Sequence, residues 1–397
     1  MKILLAHTFY RSSAPSGEDL VYRNERALLE QAGFTVIPYE RHNDDLDDSS
    51  LWKRVRLGQG SIWSRRTWRE VSDLLTSERP DLVHVHNTFP QLTPSIYRAC
   101  RDQGVPVVQT LHNFRLICPQ AMLARQGRTC VDCLGGSLWP ALRHRCYRGS
   151  LAATLAQVLT LTVNRGLGSY GLVDQYLALT RFAMNKLVEG GIPVRRLTVK
   201  PNFLPDPPEP GAGNGGYALF VGRLSAEKGV RTLLTAWRKN LGLPLRIYGT
   251  GPLETELRAL VEQERLPVEF CGFGDRQQIY AAMREAAMLV VPSEWYEGFP
   301  MVVLEALACG TPVVASRIGS LGEVVVEGIT GIHFAPGNAN ALAAAIVRLK
   351  TDQRLLSAMR NRCRLHFEHH YTADQALTTL TDVYTAVIRN SRRKHPR

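Results

Sequence analysis

The stretch PSEWYEGFPMVVLEALACGTPVVASRIGSLGE, residues 292–323, constrains the fold more than any other part of this 397-residue chain. It reads as the end of a strand (MLVVP, 288–292), a loop carrying Glu294 and Glu297, a short helix, and a second strand, TPVVAS. Pro300 suits the first helical position, where its missing N–H would have no partner in any case. Gly310 suits the left-handed position after the last turn, and Pro312 forbids continuation. Glu297 and Glu305 lie eight positions apart, the first ahead of the helix and the second within it. The free N–H groups of the first turn, with the positive end of the helix dipole, lie between them. That arrangement suits an anion such as a phosphate. A carboxylate embedded in the apolar run MVVLEALA needs a partner, and a pair of sugar hydroxyls would supply one.

The rest of the chain repeats the theme. ILLA (3–6) is a strand, residues 7–19 a polar loop, and a helix runs from about Leu20 to Ala32 before the strand FTVIPY. Strand, loop, helix, strand marks a parallel sheet. Ligands collect at the carboxyl ends of such strands, so Ser16 and Gly17 are placed to meet substrate, a solvated loop being the alternative. PDLVHV (80–85) and VPVVQTL (105–111) are further strands, which put His86, Asn87 and His112 at the same edge. The Pro/Gly-rich run LPDPPEPGAGNGG is a linker and places a domain boundary near 205–216. Beyond it the strand YALFVG leads into GRLSAEKG. Gly222, Arg223 and Lys228 thus follow a strand's carboxyl end, where two cations are placed to neutralise a departing diphosphate, although spacing alone favours the alternative of solvated surface cations. LRIYG runs into Gly249-Thr250-Gly251, small residues that allow close backbone approach to a nucleotide.

A chain of 397 residues exceeds one ordinary core, so two domains are expected. No run of 18 apolar residues lacks charge. The start, MKILLAHTF, reads as a buried strand and not as a signal peptide, from which a cytoplasmic location is expected. The net charge of +12 calls for an anionic partner. No nucleic-acid module is present, which leaves nucleotide substrates and anionic membranes. Residues 51–69 interleave basic residues with Trp52, Trp63 and Trp68, a composition suited to a lipid surface or to a solvated face with its indoles packed inward. The basic tail SRRKHPR adds to the same attraction. Cys118, Cys130, Cys133 and Cys146 fall within 29 residues, so a closed structural zinc site is expected, with His144 as a substitute ligand and four free thiols as the alternative.

The motif EGFPMVVLEALACGTPVVAS, followed by Glu323, resembles the nucleotide-sugar site of the retaining, family 4 glycosyltransferases of the GT-B fold. The resemblance implies an α/β chain of two Rossmann-like domains facing a cleft. The expected limits are 1–205 for the acceptor domain, with a Cys-rich insertion at about 115–150, and 206–372 for the donor domain. A helix within 373–397 would cross back to the first domain. Carried over, Glu297 lies at the donor sugar, Glu305 holds the ribose hydroxyls, and Gly298 with the amides of Phe299, Met301 and Val302 holds the diphosphate. GRLSAEKG resembles the family's phosphate-gripping Arg/Lys pair, here Arg223 and Lys228. QTLHNFR resembles the family's histidine near the reacting carbon, His112, with His86-Asn87 as a second candidate. SGED resembles the N-terminal glycine-rich loop, with Ser16 where the family has a second glycine.

Catalysis without an essential metal, transfer from a nucleoside-diphosphate sugar with UDP favoured, and a glycan or lipid-linked glycan acceptor at the inner membrane face are implied. So is a role in cell-surface polysaccharide synthesis, with lipopolysaccharide among the products. A nucleotide-sugar epimerase or hydrolase on this fold, or a binding-only relative, are the rival readings. No nucleic-acid partner is expected.

Overall fold

In the computed structural model, residues 1–13, 16–46 and 60–394 are described. Trp52 and the basic residues up to position 59, and the last three residues of the tail, lie outside them. The chain divides into two compact units, Met1–Met122 with Val131–Asn202 and Ala373–Arg397, and Leu123–Cys130 with Phe203–Thr372.

The first unit is built on strands β1 (Lys2–Phe9), β2 (Thr35–His42), β3 (Leu82–Val85) and β4 (Val107–Leu111). A two-stranded antiparallel ribbon, β5 (Ala124–Arg125) and β6 (Arg128–Thr129), groups with the second unit. β7 (Gln175–Ala178) and β8 (Leu197–Val199) complete the first sheet, whose order is β2-β1-β3-β4-β7-β8. Its pairings are all parallel. Two details differ from the sequence expectation. β1 continues to Phe9, so His7 is a strand residue. The helix begins at Gly17, not Leu20, because Ser16 and Asp19 form a reciprocal capping box at its start. The long helix Ala373–Lys394 belongs to this unit, and its Leu380, Val383, Tyr384 and Val387 pack in one core with Ile3, Leu29, Leu82, Val108 and Leu177.

The second unit holds β9 (Ala218–Val221), β10 (Leu245–Tyr248), β11 (Val268–Gly272), β12 (Met288–Val291), β13 (Val313–Ser316) and β14 (Gly331–Phe334), ordered β11-β10-β9-β12-β13-β14. These strands too are parallel throughout. They are near-continuous apolar runs because both faces of the sheet are covered. Ala218 and Phe220 join one core with Trp237 and Ile346, while Leu219 joins the other with Val303 and Phe367.

The strand order reverses once in each sheet, between β1 and β3 and between β9 and β12. At such a reversal the connections leave to opposite faces and open a crevice at the carboxyl ends. His7, His86 and Asn87 lie at the first reversal. The GRLSAEKG loop and the PSEWYEG loop lie at the second.

Backbone packing dictates the glycine at 249. Its φ is +136°, and a Cβ there would lie 1.9 Å from the Gly222 carbonyl oxygen. Gly222 N–H in turn donates to Tyr248 O at 3.0 Å, and Leu224 N–H to Thr250 O at 2.9 Å. Gly249→Ala is therefore expected to destabilise the protein by about 2 kcal/mol or more, read as a lowered melting temperature.

Candidate functional site

In the second unit the site grows from the ends of β9 and β12. Glu297 is buried, and three donors converge on its Oε1. Lys228 Nζ lies at 2.6 Å, Ser293 Oγ at 2.7 Å and Trp295 Nε1 at 3.0 Å. Burial pushes this carboxyl up, but the Lys228 ammonium and the three hydrogen bonds outweigh it and hold it below the ordinary range. Oε2 accepts no hydrogen bond among the described residues. The Lys228 ammonium also lies 5.6 Å from the centre of the Trp295 ring. Arg223, five positions before Lys228 in the same loop, is exposed, and no described residue pairs with it.

The helix that follows is Met301–Ala308, with Pro300 as its N-cap and not its first residue. Gly310 takes the left-handed position after the C-cap, with φ +70°. At the other end the amides of Phe299, Met301 and Val302 donate to no backbone carbonyl among the described residues, whereas Val303 N–H reaches Pro300 O at 2.9 Å. Ser320 Oγ donates to Gly298 O at 3.0 Å and ties the loop down.

Glu305 departs from the expectation of a protein partner. It is half-buried, and its carboxylate accepts no hydrogen bond among the described residues. Burial pushes it from the usual 4.5 up to about 7, against the pull of Arg276. Solvent reaches part of this side chain, so the cost of ionising it is a fraction of that for a sealed group.

In the first unit the structure gathers a buried network that sequence reasoning missed. Glu25 and Lys200, 175 residues apart, are both fully buried and join Oε2 to Nζ at 2.5 Å. Glu25 Oε1 meets His84 Nδ1 at 3.0 Å and His86 Nε2 at 3.1 Å. His84 Nδ1 also lies 2.7 Å from the Tyr384 hydroxyl, and His84 Nε2 lies 2.9 Å from Thr110 Oγ1. His86 Nδ1 lies 3.0 Å from His112 Nε2. Burial lowers His86 to about 3 despite Glu25, and burial lowers His112 well below its ordinary value, so both rings are neutral at pH 7. Burial opposes the charge on Glu25, but Lys200 and then the histidines hold it well below the carboxylate range. Two of the predicted residues, His86 and His112, are thus in direct contact. Asn87 Nδ2 donates to Thr8 O at 2.8 Å and is structural in that respect.

Glu25, His84 and His86 are the group of potential metal ligands that converges among the described residues. Lys200 already neutralises that carboxylate, so the set is satisfied without an ion. The four cysteines do not converge. No three of them come within reach of one ion among the described residues. Cys133 and Cys146 instead pack in a small apolar cluster with Leu138, Ala141, Val158 and Leu161. Spacing along the chain did not translate into spacing in the fold.

Ser16 is committed to its helix cap, accepting from Glu18 N–H at 3.3 Å, while Gly17 faces open space. Next to it Glu18, also unforeseen, accepts from Asn113 Nδ2 at 2.8 Å and from the Tyr10 hydroxyl at 3.2 Å. Burial raises its carboxyl, with Asn113 and Arg115 opposing. Of the missed residues, Ser293 and Trp295 were visible inside the PSEWYEG motif. Glu18 was likewise visible inside SGED, while Glu25 and Lys200 carried no local signal.

Two family models cover most of the chain. Residues 207–366 match the model described as glycosyl transferases group 1, and residues 23–203 match a glycosyl transferase 4-like domain. The chain belongs to the group 1 glycosyltransferases. Glycogen synthase of Mycobacterium tuberculosis is 37% identical over 189 residues, 45% of this chain and 44% of that protein. The chain thus matches less than half the length of this curated relative. The Bacillus subtilis protein YtcC is 26% identical over 399 residues, covering 91% of this chain and 88% of that one. Among solved structures, Anabaena HepE in complex with UDP superimposes with a TM-score of 0.66 at 17% identity, covering 97% of this chain and all of that one. The two Rossmann-like units are those of the GT-B fold.

Two outcomes follow from the charges. The raised Glu305 carboxyl costs nothing below its unfolded value near 4.5, and the cost grows until the group is fully ionised above about 7. Glu305→Gln should leave the melting temperature unchanged at pH 4 and raise stability by about 1 kcal/mol at pH 8. Glu25→Gln strands the Lys200 ammonium in the core and should cost about 3–5 kcal/mol by denaturant melting. Glu25→Gln combined with Lys200→Met should recover most of that loss.

Proposed function

We propose that the chain is a retaining glycosyltransferase that moves a sugar from a nucleoside diphosphate, UDP in first place, to a glycan or lipid-linked glycan. The observation that carries the reading is the pairing of Lys228 with Glu297 at 2.6 Å where the strand order of the second sheet reverses. A cation, free helix-start amides and a carboxylate with one open oxygen then stand together. Lys228, Arg223 and the amides of Phe299, Met301 and Val302 would stabilise the charge that grows on the departing diphosphate. Glu297 Oε2 would accept from a hydroxyl of the transferred sugar. Glu305 would accept from the ribose hydroxyls, which supply the partner its own fold does not. The glycines at 222, 249 and 251 draw the neighbouring backbone segments together and so shape the floor beneath the nucleotide.

UDP is favoured because the GT-B structure of HepE holds UDP. His112 is assigned to the transfer step, as the resemblance implies, and its burial as a neutral ring beside His86 suits a hydrogen-bonding role over a charged one. Contact with an anionic membrane at its inner face, a cytoplasmic setting and a part in cell-surface polysaccharide synthesis belong to the same reading. The basic character of the chain and the lack of any helix long and apolar enough to cross a membrane among the described residues support them.

A hydrolase reading gains one observation, the Glu18 carboxyl raised by burial, which is the kind of group a water-activating base requires. The test is turnover of UDP-sugars with glycan acceptors, with release of free sugar measured in parallel. Transfer should fall by about 10²–10³ in kcat in Lys228→Ala. In Glu305→Ala the thermal shift given by UDP should disappear. Free sugar as the main product at saturating acceptor would replace the transferase by the hydrolase. No shift with any nucleotide would sink both.

A further inference from the structure

The helix Leu151–Gly166 is inside out. Its buried face carries Thr154, Gln157, Thr160 and Asn164, together with Val158 and Leu161. Its solvent face carries Leu151, Leu155, Leu159 and Val163, exposed by 52, 43, 45 and 36%, and Leu167 just past its end is exposed by 72%. At 100° per residue these five side chains fall on one half of the cylinder and the buried polar ones on the other. The inward polar face is satisfied. Thr160 Oγ1 bonds Ala156 O at 2.8 Å and lies 3.2 Å from Ser61 Oγ, and Asn164 Nδ2 donates to Ile62 O at 3.2 Å. The arrangement is therefore a consistent packing, and the apolar half is left facing outward. Surface helices of soluble domains have the opposite polarity, and an exposed apolar face of this extent marks an interaction site.

Charge identifies the occupant. From Leu134 to Val173 the chain holds no Asp or Glu, while Arg143, Arg145 and Arg148 stand exposed just ahead of the helix. Two exposed indoles lie in chain segments that adjoin the helix. Trp139 is 67% exposed on the preceding short helix, and Trp63, next to the Ile62 that the helix binds, is 39% exposed. An uncharged apolar half-cylinder with cations at one end and indoles beside it fits an anionic lipid surface. It fits a second copy poorly. A two-fold pairing of antiparallel helices would set the arginine-rich start of one against Arg165 of the other, with no carboxylate in the segment to answer.

We propose that the helix Leu151–Gly166, with Trp139, Trp63 and Arg143, Arg145 and Arg148, is the face by which this protein lies on an anionic bilayer. The proposal rests on the membrane contact in the reading above and gives it a surface. It does not depend on the transferase chemistry.

The test is co-sedimentation of the full chain with vesicles of phosphatidylcholine alone and of phosphatidylcholine with phosphatidylglycerol. Wild type should bind the anionic vesicles and not the neutral ones. Leu155→Glu with Leu159→Glu should lose about tenfold or more in binding, and Arg143→Gln, Arg145→Gln, Arg148→Gln about tenfold or more with a weaker salt dependence. Both variants should keep the wild-type melting temperature and the wild-type thermal shift with UDP. No binding of wild type to anionic vesicles overturns the surface and the membrane contact together. Undiminished binding by the leucine variant overturns the surface alone. A concentration-dependent dimer in light scattering that the leucine variant abolishes, without vesicle binding, assigns the face to a second copy and overturns the proposal.

Discussion

An open parallel sheet covered on both faces must send its crossover helices to opposite sides, and the place where the connections part company decides where a ligand can lie. In this protein that constraint acts twice. In the second unit it brings the loop after β9 beside the loop after β12, although about seventy residues separate Lys228 from Glu297 along the chain. Everything proposed for the donor follows from that neighbourhood. The carboxylate is ionised because the ammonium is there, and one of its oxygens is fully occupied so that the other is left over.

The two units treat charge differently. In the first, Glu25 and Lys200 are sealed from water, and the two histidines that touch Glu25 are themselves hydrogen-bonded onward. The result is a set of histidines with fixed ring positions, reached through Glu25 and ending at His112. In the second, Glu305 is held half-buried with nothing to receive. A group of this kind weakens the fold, and under the proposed ribose-binding role that loss would be the exchange of stability for activity.

Much of this was legible in the sequence. Short apolar runs closed by Gly or Pro marked most strands, and the GRLSAEKG and PSEWYEGFPMVVLEALA motifs pointed to Arg223, Lys228, Glu297 and Glu305. What could not be read depends on contacts between distant residues. Glu25 sits in a helix where a solvated carboxylate is the ordinary expectation, and its partner lies in a loop 175 residues on. The four cysteines looked like a metal set because they are close in sequence, yet no three of them converge among the described residues. The sequence of the helix Leu151–Gly166 mixes apolar and small polar residues on both halves and does not say which half faces the core. Only the bonds from Asn164 and Thr160 to the chain near Ser61 show that the polar half does.

The helix Ala373–Lys394 completes the core of the first unit, and the Tyr384 hydroxyl reaches His84. The ribosome makes these residues after the whole stretch that builds the second unit. The unit begun first is therefore the one finished last. While residues 203–372 are being synthesised, β1, β3 and β4 wait with part of their apolar face uncovered, and Glu25, Lys200 and the histidines lack their lid. Vectorial synthesis thus gives the second unit a head start in folding, and nascent chains arrested before residue 373 should engage holdase chaperones through the first.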